Sequence, residues 1–147
     1  MRFLLFVSLG AALASNARAA IAEDGPECFS KFTKFNVCEK AREAQAGLAA
    51  TLPVKMNANI TMSTAIATGP RVIITAVWNI DKAEFDARLK ANTMTVADLT
   101  LKMEVATKNS VCSLDLMAAF VRLGGQVQYA YRTLDGFIVL SPLVAAC

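Results

Sequence analysis

Four cysteines, Cys28, Cys38, Cys112 and Cys147, constrain this chain more than any other feature. Whether they pair depends on the compartment, and the first residues bear on that. Arg2 gives a positive start. Phe3 to Ala14 is an apolar run broken by Ser8 and Gly10, and Ala17-Arg18-Ala19 has the small-x-small pattern of a cleavage site. Residues 1–19 therefore read as a secretory signal peptide, with Ala20-Ile21-Ala22 as a second place to cut. The apolar run is shorter than the about 20 residues of a spanning helix. No later stretch is long and apolar enough to serve as one. Residues 20–147 are expected to be a single exported domain. The expected location is the periplasm of a Gram-negative bacterium, with secretion as the alternative. In a secreted eukaryotic protein, Asn59-Ile60-Thr61 would be a glycosylation site.

In an oxidising compartment, an even cysteine count without a CxxC pattern argues for two disulfides. Three pairings are open, and the favoured one joins Cys28 to Cys38 and Cys112 to Cys147. The first pair has a geometric consequence. Ten residues of continuous helix would hold the two Cα atoms about 15 Å apart, whereas a disulfide allows about 7 Å at most. If Cys28 and Cys38 pair, the chain must turn between them. Cys28 follows Gly-Pro-Glu and lies far from the apolar run, which argues against lipid attachment there. The cysteines lack the close paired spacing of a zinc site, and no His is present to help them.

Charge and composition exclude several functions. The formal net charge of +3 comes from 15 Lys+Arg against 12 Asp+Glu. Without residues 1–19, Arg2 and Arg18 are gone, and 13 against 12 leaves +1. The signs are interspersed, so no stripe tracks phosphates and nucleic acid is not an expected partner. With no His, the usual Ser-His-Asp and Cys-His sites cannot be built. No Gly-rich loop opens a helix after a strand. Met56, Met62, Met94, Met103 and Met117 are scattered at core positions rather than clustered for copper. No metal and no cofactor are expected. Carboxylate-pair chemistry remains formally open. However, Asp81, Glu84 and Asp98 sit where helix caps belong, and Asp135 sits in a turn.

The local patterns describe an α+β chain. Phe29, Phe32 and Phe35 read as a helical turn, and Lys31 and Lys34 beside them leave open a membrane-touching or partner-docking patch. Cys38 to Ala50 is a helix by propensity, ended by Pro53. Residues 54–66 alternate as one half-buried strand, Gly69-Pro70 turns, and Val72 to Trp78 reads as a central strand. Asp81 with Glu84, and Thr95 with Asp98, each start a helix. In the second of these, Val96, Leu99, Met103 and Ala106 share one side, and Asn109-Ser110 breaks it. A third helix starts near Ser113 and stops at Gly124-Gly125. Gln126 to Leu134 alternates, Asp135-Gly136 is a hairpin turn, and Phe137 to Leu140 returns. That pairing sets Tyr131 opposite Leu140 and Thr133 opposite Ile138. It places Val127, Tyr129, Tyr131, Ile138 and Leu140 on the core face, and Pro142 ends the strand. The expectation is a four-stranded antiparallel sheet made from two hairpins, with helices packed on one face and two disulfides.

Cys112, Gly124-Gly125, Tyr129-Ala130-Tyr131, Asp135-Gly136 and the final Cys147 together resemble the ending of small exported bacterial proteins of uncharacterised function. Leu52-Pro53 before a hairpin is similar too. The resemblance spans residues 52–147, leaves Cys28 and Cys38 outside it, and implies a single exported disulfide-bonded domain with no catalytic residue.

The functional expectation is a non-enzymatic periplasmic or secreted interaction module of the inhibitor, immunity or envelope-assembly accessory type. Its partner would be another envelope or secreted protein. Trp78, Tyr129, Tyr131, Phe29 and Phe32 are the candidate binding patch, set against the plainer reading of packed aromatic core. The alternatives are a small-ligand or lipid-binding protein with an apolar groove beside the sheet, and a small carboxylate-dependent hydrolase.

Overall fold

The computed structural model describes residues 24–147. The signal segment and both cleavage points lie outside the described residues. In chain order the elements are α1 (Val37–Ala49), β1 (Val54–Lys55), β2 (Ile60–Thr68), β3 (Arg71–Trp78), α2 (Lys82–Ala91), α3 (Val96–Cys112), α4 (Asp115–Arg122), β4 (Gln126–Arg132), β5 (Ile138–Leu140) and β6 (Leu143–Val144).

Side chains at the helix starts act as the residue types require. Asn36 accepts from the Glu39 amide at the head of α1, and Asp81 accepts from the Glu84 amide at the head of α2. Thr95 and Asp98 form a complete capping box at α3. The end of α4 is a Schellman turn. The Gly124 amide donates to the Val121 carbonyl, the Gly125 amide donates to the Phe120 carbonyl, and Gly124 takes φ +104°.

The sheet departs from the expected one. Among the described residues it has six strands, in the order β1-β2-β3-β4-β5, with β6 also paired to β4. It is mixed rather than antiparallel, because β3 and β4 run parallel, Val72 opposite Val127 and Ala76 opposite Tyr131. A parallel pair needs a long crossover, and α2, α3 and α4 supply it. The expected single strand over 54–66 is in fact two. The Asn57 carboxamide oxygen accepts from the Asn59 and Ile60 amides, at 2.8 and 2.9 Å, and turns the chain back so that β1 pairs with β2. The returning strand β5 ends at Leu140, before Pro142 as expected, but the chain then rejoins the sheet. The Pro142 carbonyl accepts from the Tyr129 amide, and β6 follows along β4.

Three further expectations are corrected. Phe29 to Phe35 is not a helical turn. Phe29 bridges to Asn36, and the Ser30 amide donates to the Phe35 carbonyl across a tight loop. α3 does not break at Asn109-Ser110 but runs on to Cys112, and its buried side shifts from Val96 and Ala106 to Leu99, Met103, Thr107 and Val111. Tyr131 does face Leu140, but an irregularity between Tyr131 and Arg132 sets Arg132 opposite Ile138. Ile138 is consequently exposed rather than part of the core face.

The helices pack on one face, as expected. Val37, Ala41, Val72, Ile74, Val111, Phe120, Val121, Val127 and Val144 make the main core, and Ala76, Tyr131 and Leu140 make a second one. Both disulfides form as favoured. Cys28–Cys38 closes over Cα atoms 5.0 Å apart, and Cys112–Cys147 ties the last residue to the end of α3 rather than to a helix start. No helix among the described residues is long and apolar enough to cross a membrane.

Candidate functional site

A groove lies between α1 and α4. α1 contributes Lys40, Glu43, Ala44, Gly47 and Leu48, which fall on one stripe of a 3.6-residue period. Ala44 and Gly47 are small and leave a trough, and a Cβ added at Gly47 would meet nothing within 4 Å. α4 and its lead-in contribute Leu114, Leu116, Met117, Ala119, Phe120 and Leu123 as the opposite wall, and Phe35 closes one end. The cavity volume is about 740 Å³. Along α1 the lined stretch rises about 12 Å, the length of roughly two turns of a docked helix.

Local chemistry places these walls. α1 is fixed at its start by the Cys28–Cys38 bond and by Asp24, which accepts two hydrogen bonds from the Arg42 guanidinium (2.9 and 2.8 Å) and one from the Asn36 amide nitrogen (2.9 Å). Arg42 and Asn36 hold the Asp24 carboxyl at about 2, below its ordinary 3.8. α4 is positioned by its Schellman turn and by Gly125. A Cβ at Gly125 would lie 2.5 Å from the Phe120 ring, so only glycine lets that ring reach the floor of the groove. Lys40 and Glu43 form an exposed ion pair at the groove (2.6 Å), and the Lys40 ammonium lies 5.8 Å from the Phe35 ring centroid.

This groove was not among the residues singled out from the sequence, although α4 carries a readable signal. α4 carries one charge at each end, Asp115 and Arg122, and the run between them, Leu116 to Val121, is wholly apolar. Bulky apolar residues left on the exposed side of a helix mark a surface that another molecule can cover. Here Ala118, Phe120 and Val121 face the core, while Leu116 stays 88% exposed.

The sequence-derived patch is divided between places. Trp78 packs on Phe85, with ring centroids 5.0 Å apart, and its indole N–H is buried without a partner among the described residues. Tyr129 and Tyr131 stack at 5.8 Å, and the Tyr131 hydroxyl lies 3.5 Å from the Thr107 hydroxyl. Burial pushes both phenols above their ordinary value. Phe29 and Phe32 stand apart from these three, on the loop before α1. Phe32 is 90% exposed. The four cysteines are all bonded and offer no thiol.

Asp24, Cys28 and Cys38 fall close enough together to suggest a metal cluster. Both sulfurs are used in a disulfide and the carboxylate is engaged by Arg42, so the trio does not fit a metal. Asp81 and Asp98 cap helices, and Glu84 pairs with Arg88. Asp135 does more than shape its turn, because its carboxylate also accepts from the Lys82 amide and ties the last hairpin to the head of α2. Two carboxylates, Glu43 and Asp115, do line the groove, but both are exposed.

No protein-family model matches the chain, and no curated protein matches its sequence. Three solved structures do match its fold. The type II secretion system pilotin AspS from Vibrio cholerae superposes with a TM-score of 0.54 at 19% identity, covering 74% of this chain and 88% of that one. The pilotin EpsS of the Vibrio vulnificus type 2 secretion system gives 0.59 at 14% identity, with 75% and 88% covered. A putative secreted protein from Pseudomonas aeruginosa gives 0.57 at 14% identity, with 75% and 89% covered. The chain is similar to these proteins in fold, and two of the three are type II secretion system pilotins.

Proposed function

We propose that this protein is a non-enzymatic accessory of envelope assembly, exported by residues 1–19, that holds an apolar helical segment of another envelope protein between α1 and α4. One observation carries the reading. The apolar run Leu116–Val121 of α4 leaves Leu116 exposed beside a trough that Ala44 and Gly47 keep open. Helix-in-groove recognition uses this arrangement, with anchors of the guest at i, i+3, i+4 and i+7 laid into an apolar channel. The likeness of fold to two type II secretion pilotins supports the accessory role.

A photo-crosslinking amino acid at Leu116, and separately at Gly47, tests it in the producing cell. Both positions should trap the same envelope protein, and the same group at Thr64, outside the groove, should not. Adding Met117→Lys should abolish the trapping. Equal trapping at Thr64, or trapping that survives Met117→Lys, would remove the groove from the function.

The small-ligand reading keeps one observation in its favour, since a volume of about 740 Å³ also suits a single lipid-sized molecule. Native mass spectrometry of freshly purified protein separates the two. A co-purifying small mass lost in Met117→Lys supports the ligand, and a bare chain mass ends that version.

A further inference from the structure

We infer that the Phe29–Phe35 loop is a membrane-interface contact, with Phe32 entering the headgroup region of an anionic bilayer and Lys31, Lys34 and Arg122 meeting lipid phosphates. The loop is held from both ends. Cys28 and Cys38 are buried and bonded, Ser30 is buried, and Phe29 bridges to Asn36. The Lys34 amide donates to the Ser30 carbonyl at 3.0 Å, and Lys34 takes φ +54°, so Lys31, Phe32 and Thr33 form a closed tip. Phe35 turns inward against the core, while Phe32 turns outward and is 90% exposed. A floppy loop could fold such a ring back onto the protein. This one is stapled with the ring in water.

The charges around the tip choose the occupant. None of the ion pairs among the described residues involves Lys31, Lys34 or Arg122. Phe29, Lys31, Phe32, Arg122 and Leu123 line one shallow hollow, in which Glu27 is the one acid. Cations beside an exposed aromatic ring on a rigid, convex tip are the chemistry of an interfacial anchor. The ring partitions into the acyl boundary, and long cationic side chains reach the phosphates. The hollow beside the tip is small, about 170 Å³, and the Phe32 ring stands exposed rather than in the fully desolvated pocket of a protein hot spot. Leu123 lines both this hollow and the α1/α4 groove, so a bilayer touched by Phe32 lies on the same side of the molecule as one end of the groove. The contact stands independently of what the groove holds.

The test is flotation of the purified exported chain with phosphatidylcholine vesicles, with and without about a third phosphatidylglycerol. The chain should float with the anionic vesicles at least ~10-fold better than with the neutral ones, and salt should weaken it. Phe32→Ser, and separately Lys31→Glu with Lys34→Glu, should each cut binding ~5-fold or more, with melting unchanged because these groups are exposed. Phe32→Trp should gain a blue-shifted emission on anionic vesicles that brominated lipid quenches, measured against the Trp78 background. Equal binding to both vesicles, full binding by Phe32→Ser, or unshifted emission would overturn the inference. So would a loop that leaves vesicles alone and instead crosslinks a protein from position 32. Met117→Lys should leave flotation intact, which keeps this outcome separate from the fate of the groove.

Discussion

Gly125 and Gly47 show how one methyl group can act in opposite directions here. At Gly125 the added carbon would overlap the Phe120 ring at 2.5 Å. Gly125→Ala should therefore cost about 1–3 kcal/mol, in the range of overpacked cores, and lower the melting temperature by several degrees. At Gly47, inside α1 with open space around it, alanine should add about 0.5–1 kcal/mol through helix propensity. The same methyl would enter the trough, so Gly47→Ala should be more stable yet weaker in trapping a partner. Calorimetry on the two variants, with the crosslink yield for the second, checks both signs. Asp24 gives a pH signature. Its carboxyl is held at about 2 in the fold and lies near 3.8 when free, so its stabilising effect is present above 3.8 and is lost as pH falls through about 2. The melting-temperature gap between the natural chain and Asp24→Asn should be open at neutral pH and close across that window. Gly124-Gly125 is legible in the sequence as a helix stop. The Phe120 contact is not, because it is a packing relation through space. The Asp24–Arg42 pair escapes sequence reading for the same reason, its partners being 18 positions apart.

Local signals describe the elements well, and long-range pairing overrides them at the joints. Both cap motifs, at Asp81 and Thr95, form as read, because each needs only neighbours three residues away. The strand over 54–66 is misread because Asn57 turns the chain through hydrogen bonds that alternation does not register. The parallel pairing of β3 with β4 is likewise invisible locally. Two correctly read strands can lie side by side in either direction, and only the crossover through α2, α3 and α4 decides it. Of the three pairings the sequence leaves open, the favoured one forms, with Cys28 and Cys38 joined across a turn and Cys112 joined to Cys147. The chain-entropy argument gives about 3 kcal/mol for Cys28–Cys38 and about 4 for Cys112–Cys147. Dithiothreitol should lower the melting temperature by many degrees. Cys112→Ala with Cys147→Ala should reproduce the larger share of that loss. An unchanged melt under reductant would remove the staples from the account.

At the scale of the whole molecule, the helices cover one sheet face, and α1 and α4 leave an apolar trough beside it. No single residue in the sequence points to that trough. Its walls lie far apart in the chain, and the one local hint is the unbroken apolar run Leu116–Val121 in α4. The aromatic residues singled out from the sequence fall instead into packing, for Trp78, Tyr129 and Tyr131, and into the loop tip, for Phe32. The central claim is that α1 and α4 together grip a helical segment of an envelope protein. Site-specific photo-crosslinking from Leu116 and Gly47 in the producing cell tests it most directly. The account predicts that both positions trap one and the same envelope protein, and that Met117→Lys removes the product while Thr64 never gives it. Different proteins trapped from the two walls, or a product that persists in Met117→Lys, would contradict it.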